Sequence, residues 1–323
     1  MTARVFIDGE AGTTGLQIRE RLMGRGEFKL LHLADHERKD EARRAAMLNA
    51  ADVVILCLPD EAARQAVAMI HNPAVKVIDA STAHRVSDGW VYGFPEYACG
   101  QSAAIAGALR VTNPGCYAVS AVAMIHPLVA AGLLPAHWPL TINAVSGYSG
   151  GGKTLIASFE GDTASDPADV VFYAYGLDLA HKHVPEIERR GGLDRRPLFV
   201  PSVGRYRQGM IVQIPLQLSD LPGAPDPAAI HGALAAHYAG QRFVQVADPA
   251  ESAAVARLDP ESLNGTNEMR LHVFGNREHG QALVAGVLDN LGKGASGQAV
   301  QNLNLMCGLD EAAGLDVSPG DIA

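Results

Sequence analysis

A short apolar run, Val5-Phe6-Ile7, leads into Gly9-Glu10-Ala11-Gly12-Thr13-Thr14-Gly15 and then into Leu16, Ile18 and Leu22 at helical spacing. Strand, glycine turn and helix in that order form the opening of a dinucleotide-binding βαβ unit. The spacing is G-x-x-G-x-x-G rather than G-x-G-x-x-G, so its place after the first strand carries the reading more than the pattern does. Small residues there let backbone N–H groups approach a pyrophosphate at the helix N-terminus. The following segments continue the alternation. Phe28 to Ala34 reads as a second strand, and Asp52 to Leu58 as a near-continuous apolar one, as burial on both faces of a parallel sheet requires. Pro59-Asp60 is expected to cap a helix over Glu61 to Ile70, and Val75 to Ala80 is another buried strand ending in Ser81-Thr82. Strand C-termini line the ligand crevice of an open α/β sheet, which assigns Ser81, Thr82 and Arg85 to it. A Rossmann-like first domain follows.

The end of the second strand bears on the cofactor. Asp35 lies 20 residues beyond Gly15, the distance at which an acid holds the ribose 2′-hydroxyl of NAD. His36, Arg38 and Lys39 are adjacent cations suited to a 2′-phosphate. The segment argues both ways, and a solvated charged loop would look the same.

Thr112-Asn113-Pro114-Gly115-Cys116-Tyr117 precedes an apolar stretch from Ala118 to Leu134 that reads as a buried helix. Cys116 is therefore expected where the Pro-Gly turn enters that helix, and unpaired N–H groups and the helix dipole there favour a thiolate. A buried cysteine acting as a small hydrophobe is the alternative. Beyond it, Leu140 to Val145 opens a β-rich region that includes Ile211 to Leu218, Leu271 to Gly275 and Val284 to Leu288. The loop Ser146-Gly147-Tyr148-Ser149-Gly150-Gly151-Gly152-Lys153 is expected between strands, and its glycines beside a cation suit an anion or a nicotinamide. His181-Lys182-His183-Val184-Pro185-Glu186-Ile187 supplies imidazoles that titrate near neutrality and a carboxylate to steady them. In an extended segment His181 and His183 would face one side, and either is a base for Cys116. No cysteine lies near enough to make this cluster a zinc site, so no metal is expected.

Composition narrows the classes. The chain has 323 residues, which points to two domains. A net charge of −9 argues against a broad nucleic-acid or anionic-membrane footprint. Cys57, Cys99, Cys116 and Cys307 form no CxxC pair, which fits free thiols in a reducing compartment. With no signal peptide ahead of the first strand, a cytoplasmic location is expected. The last helix is expected over Ser296 to Met306, and the last eight residues read as a frayed tail.

Taken as a set, several blocks resemble the N-acetyl-γ-glutamyl-phosphate reductase family of arginine biosynthesis, in its shorter form. They are Gly9 to Gly15, Asp79-Ala80-Ser81-Thr82-Ala83-His84-Arg85, Tyr92-Gly93-Phe94-Pro95-Glu96, Asn113 to Tyr117, Ser146 to Lys153, His181 to Ile187, and Gly294-Ala295-Ser296-Gly297-Gln298-Ala299-Val300-Gln301-Asn302. The resemblance runs through essentially the whole chain, in order. It departs in small ways: Val119 follows Cys116-Tyr117-Ala118 where threonine is common, and Lys182 stands where the long form usually has arginine.

The resemblance implies a Rossmann NAD(P)-binding domain over residues 1–116 and an α+β catalytic and dimerisation domain of the semialdehyde-dehydrogenase type over 117–295. The terminal segment 296–323 is expected to return to the first domain. It implies NADPH as cofactor and a homo-oligomer, dimer or tetramer. It assigns Cys116 as nucleophile and His183, with His181 as the alternative, as acid/base. Gly9, Gly12, Thr13, Thr14, Gly15, Arg38, Ser81, Gly147, Ser149, Gly150 and Asn302 are expected at the cofactor. Arg85, Asn113, Lys182 and Glu186 are expected at the substrate. The competing readings are aspartate-semialdehyde dehydrogenase or a related acyl-phosphate reductase, a cofactor-free cysteine hydrolase, and a non-catalytic NADP-sensing regulator.

Overall fold

The computed structural model describes residues 2–38, 40–161 and 170–315. Lys39 and the tail 316–323 lie outside them, and so does the side chain of Asp35. The chain divides into two compact units. The first comprises residues up to Pro95, Cys99–Gly115 and the segment from Ala295; the second comprises Glu96–Ala98 and Cys116–Gly294.

The first unit runs β1 (Ala3–Asp8), α1 (Thr13–Leu22), β2 (Phe28–Leu31), α2 (Glu41–Ala50), β3 (Val53–Leu56), α3 (Asp60–Ala68), β4 (Lys76–Asp79), β5 (Val91–Tyr92), α4 (Gln101–Gly107) and β6 (Arg110–Thr112). Its six strands are parallel throughout, in the order β2-β1-β3-β4-β6-β5. Val53 to Leu56 are all buried, because helices cover both faces of a parallel sheet. β2 stops at Leu31, three residues short of the expected Ala34, since its pairing with β1 ends at Leu31. Asp60 does not cap α3: the cap position is Pro59, which has no side-chain acceptor. The Asp60 carboxylate instead accepts from Thr82 N at 2.9 Å and Thr82 Oγ1 at 2.5 Å, tying the loop after β4 to the start of α3.

The second unit holds α5 (Cys116–Ala130), β7 (Thr141–Gly147), α6 (Gly152–Glu160), β8 (Phe172–Ala174), α7 (Val184–Gly191), β9 (Leu198–Gly204), β10 (Met210–Gln217), α8 (Pro227–His237), β11 (Val244–Val246), α9 (Pro249–Ala254), β12 (Met269–Asn276) and β13 (Gln281–Leu288). Its seven strands form one mixed sheet, β11-β12-β13-β10-β7-β9-β8. Along β10 buried and more exposed residues alternate from Val212 to Gln217, the period of a sheet with one covered face. α5 packs on α7, α8, β10 and β13, and eleven of its residues, from Tyr117 to Leu128, are buried. A helix apolar all round is one enclosed on all sides.

Two local expectations in this unit are corrected. Ser146–Lys153 is not flanked by strands: β7 runs into a tight turn at Tyr148–Gly151 and then into α6. His181–His183 is not extended. His183 sits in helical conformation (φ −82°, ψ −14°) as the residue before α7, with Pro185 in that helix's first turn. Proline's missing N–H costs nothing there, so the helix starts where a strand had been expected to continue.

The last helix, α10 (Gly297–Met306), belongs to the first unit and packs on α1, α4 and β4. Ala299, Leu303 and Met306 are buried, and so are the polar Gln298, Gln301, Asn302 and Asn304. No helix among the described residues is long and apolar enough to cross a membrane.

Candidate active site

In the first unit the glycine turn is shaped by close backbone approach. Gly9 has φ +91°, and a Cβ there would stand 2.3 Å from the carbonyl oxygen of Cys57. At Gly15 a Cβ would stand 2.5 Å from Gly9 O. Gly12 N donates to Gly9 O at 3.0 Å and closes the turn, while Gly12 O receives Leu16 N at 2.9 Å. No side chain caps the N-terminus of α1. Thr13 Oγ1 is buried with no hydrogen-bond partner among the described residues, and Thr14 follows it in the first turn. A cradle without side chains, at an uncapped helix N-terminus, fits a pyrophosphate.

Beside it lies a hollow of about 190 Å³ whose lining includes Gly9, Glu10, Leu33, Arg38 and Arg44. Glu10 accepts from Arg38 at 3.0 Å and lies 3.2 Å from His32 Nδ1, and Arg44 donates to Asp8 at 2.8 Å. The rim thus carries cations already facing carboxylates. At the end of β4, buried Asp79 accepts from Ser81 N (2.9 Å), Ser81 Oγ (2.8 Å) and the ring of His84 (2.6 Å), so the Ser81 side chain is a strut of its own loop. Arg85, also buried, donates to the carbonyls of Asn113 (3.0 Å) and Ala80 (2.9 Å). Asn302 Nδ2 donates to Gly93 O at 2.9 Å and Asn113 Oδ1 at 3.1 Å, while its own Oδ1 is buried without a partner among the described residues. Asn113, Arg85 and Asn302 are thereby joined in one polar network, and Asn113 N donates to Asp79 O at 2.7 Å, which brings in Ser81 through Asp79. Glycine at 93 leaves room for it, since a Cβ there would fall 2.4 Å from Asn302 Nδ2.

In the second unit Cys116 is the first residue of α5 and is half-buried. The adjacent Tyr117 ring stands edge-on to His181 (6.0 Å between centroids), His183 (5.9 Å) and Phe199 (5.4 Å). The two imidazoles are themselves 4.8 Å apart. His183 N donates to His181 Nδ1 at 3.2 Å. An accepting Nδ1 leaves the neutral ring's proton on Nε2, which faces the Tyr175 hydroxyl at 3.5 Å. Tyr175 donates onward to the Tyr117 hydroxyl at 3.4 Å, and Tyr117 donates to Ser202 O at 3.1 Å. Burial, reinforced by the charge of Lys182, pushes His181 down to about 4. Burial lifts Tyr175 to about 12, and the charge of Cys116 adds to that. Tyr175 carries no motif of its own and was missed in the sequence; only its place six residues before His181 could have marked it.

Glu186 is buried in the first turn of α7, whereas Lys182 is exposed. The loop after β7 is pinned rather than mobile in its bonding. Gly147 N donates to Gly209 O (2.9 Å), Ser149 N to Arg207 O (3.0 Å), and Asn290 Nδ2 to Ser149 Oγ (3.0 Å). Gly150 is exposed, and Lys153, the cation of the anion-site reading, is exposed too. Sequence reading also passed over a buried ion pair. Lys293 Nζ donates to both carboxylate oxygens of Glu96, at 2.8 and 2.9 Å. No group of metal-ligating side chains occurs among the described residues.

Comparison with known proteins gives two family matches: residues 4–105 to the semialdehyde dehydrogenase NAD-binding domain, and residues 116–290 to the semialdehyde dehydrogenase dimerisation domain. A protein of Burkholderia ambifaria named N-acetyl-gamma-glutamyl-phosphate reductase is 57% identical over 95% of this chain and 97% of its own. N-acetyl-gamma-glutamyl-phosphate reductase 2 of Pseudomonas putida is 56% identical over 97% and 99%, and the Brucella ovis reductase 54% over 95% and 100%. Among solved structures, aspartate semialdehyde dehydrogenase II of Vibrio cholerae superposes with a TM-score of 0.68 at 16% identity, covering 95% of this chain and 98% of its own. That likeness is one of fold.

Proposed function

The chain belongs to the semialdehyde dehydrogenase family, among its N-acetyl-gamma-glutamyl-phosphate reductases, and on that premise we propose that it reduces N-acetyl-γ-glutamyl phosphate to N-acetylglutamate semialdehyde with release of phosphate, in arginine biosynthesis. The observation that carries the chemistry is a cysteine at a helix N-terminus whose neighbouring tyrosine ring meets two histidines. The helix dipole and the first-turn N–H groups favour the Cys116 thiolate. The thiolate attacks the acyl carbon, the C–S bond forms and the C–O bond to phosphate breaks, leaving a thioester on Cys116. A reduced nicotinamide cofactor, when bound, would supply the hydride that the thioester carbon requires. Cys116 then leaves from the resulting hemiacetal as thiolate, which suits sulfur because it is both a strong nucleophile and a good leaving group.

His183 is the acid/base that takes the thiol proton and manages that of the hemiacetal. The alternative, His181, has its Nδ1 occupied by His183 N and its Nε2 turned to Tyr175, and at about 4 its basicity is too low for a base working near neutrality. His181 instead holds the turn that presents His183. Glu186, buried at the head of α7, steadies the imidazolium form, and Lys182 offers an exposed charge to the substrate's anionic groups. Arg85 and Asn113 hold the substrate side through the network they share with Asn302.

Gly9, Gly12, Thr13, Thr14 and Gly15 would hold the cofactor pyrophosphate, and Ser81 would serve the same cofactor. Gly147, Ser149, Gly150 and Asn302 would serve the nicotinamide end. Arg38 would meet a 2′-phosphate, which favours NADPH as the cofactor. The protein works as a homo-oligomer, in keeping with its dimerisation domain.

The test runs the reaction backwards, with N-acetylglutamate semialdehyde, phosphate and NADP, following the reduced cofactor by absorbance. Turnover that needs phosphate is expected. Turnover with aspartate semialdehyde and none with the acetylated aldehyde would replace the substrate. Cys116→Ser should lose about a thousandfold or more in kcat while cofactor binding stays near wild type. Substantial acyl-phosphate reduction by that variant would remove the covalent route.

A further inference from the structure

Lys293 and Glu96 are 0% and 2% exposed, and each oxygen of the carboxylate takes a hydrogen bond from the ammonium. The ammonium also stands 5.5 Å from the centre of the Phe243 ring, on its face. Such pairs add little stability, because withdrawing both charges from water offsets most of their attraction, and apolar residues of the same volume often serve the fold as well. What the pair does provide is a fixed point: two directed bonds set the position of Lys293 in a way that apolar contact does not.

That fixed point lies next to the nucleophile. Lys293 belongs to the wide helical turn Gly292–Ser296, and the next residue, Gly294, forms the wall against which Cys116 rests. A Cβ at Gly294 would stand 2.8 Å from Cys116 Cβ and 3.3 Å from Cys116 Cα. The turn is held at its other side by buried Asp289, whose carbonyl receives Gly294 N at 2.9 Å. The Asp289 carboxylate in turn accepts from Leu291 N (2.8 Å), Gly265 N (2.9 Å) and Gln208 Nε2 (2.5 Å). Cys116 is thus backed by a strip of main chain clamped on one side by Asp289 and on the other by the Lys293–Glu96 pair.

We propose that Lys293 and Glu96 are positioning residues for Cys116, fixing the Gly294 backbone against which the thiol is set for attack. The role rests on Cys116 being the nucleophile, but the geometry can be read without turnover. In the full-length protein, alkylation of Cys116 by iodoacetamide is followed across pH by mass spectrometry of its peptide, alongside kcat, KM and the thermal midpoint. Two variants are compared: Lys293→Met/Glu96→Met, which replaces the pair with apolar residues, and Glu96→Asp, which keeps both charges and draws the ammonium back by one methylene. The expected result is a thermal midpoint close to wild type in at least one variant. With it go a fall in kcat of about tenfold or more, little change in KM, and a Cys116 alkylation profile moved along the pH axis. A folded variant of either kind with wild-type kcat and an unmoved alkylation profile would falsify the proposal and leave the pair as packing. If Cys116→Ser kept its activity, the nucleophile reading would fail, while the alkylation profile would still report whether the pair sets the thiol.

Discussion

At His181 the burial of the ring and the neighbouring charge of Lys182 hold the imidazole at about 4, against an ordinary 6.5. Between those two values the unfolded chain binds a proton that the folded chain refuses. Stability contributed by this site is therefore complete above about 6.5 and is lost as pH falls from there towards 4. His181→Gln is expected to flatten the decline in urea midpoint between pH 7.5 and pH 4.5. The decline will persist in part, because burial also lowers His126 and His272. An unchanged slope would mean that the folded protein does not lower the affinity of His181 for a proton. Tyr175 has the opposite shift: held near 12, it stays a hydroxyl at every working pH and donates to Tyr117. Tyr175→Phe removes that donor and the group facing His181 Nε2. A loss in kcat of about five- to thirtyfold with cofactor binding intact is expected, the worth of one or two buried hydrogen bonds. Steady-state kinetics within twofold of wild type would reduce Tyr175 to packing.

The β1–α1 connection shows what one element demands of its residues. Gly9 combines a left-handed φ of +91° with a backbone oxygen where its Cβ would go, whereas Gly24, at φ +79°, has open space around it. Gly24→Ala should cost about 1 kcal/mol through strain alone and leave the cofactor site untouched. Gly9→Ala should cost more, about 3 kcal/mol, and should abolish cofactor binding because the Cys57 carbonyl must move. Chemical denaturation and cofactor titration of the two variants give the comparison, and equal losses in both would mean that the turn tolerates a side chain. This connection was legible because its causes are local: strand, small residues and helix follow one another within about twenty positions. The loop after β7 was only half legible. Its glycines announced a turn, yet α6 has just Leu155, Ile156 and Phe159 to signal a helix, and Gly152 at its head is a poor helix former. At His181–His183 residue type alone raised the histidines as candidates, while their conformation was not legible, although Pro185 followed by Glu186 is a helix-start signal.

For the molecule as a whole, the α/β first unit followed from alternation of strand-like and helix-like segments, the second unit was legible only as a β-rich region, and the place of Cys116 at the head of a buried helix followed from the turn before an apolar stretch. The Lys293–Glu96 pair stayed hidden because its members are 197 residues apart, and no local pattern marks a lysine destined for complete burial. Cofactor choice was not legible for a different reason: in the sequence an acid and several cations share the segment after β2, which argues both ways. Arg38 bonds to Glu10, so a 2′-phosphate must take over part of that contact. Binding to the folded protein alone stabilises it, by about 2.7 kcal/mol at a hundredfold excess over Kd. NADPH is therefore expected to raise the thermal midpoint more than NADH at equal concentration. Arg38→Ala should remove most of the NADPH advantage and leave the NADH shift nearly unchanged, since only the 2′-phosphate has lost its partner. Glu10→Gln should do the reverse, releasing Arg38 and enlarging the NADPH shift. Equal loss of both shifts in Arg38→Ala would mean that the arginine supports the hollow itself rather than choosing between the two cofactors.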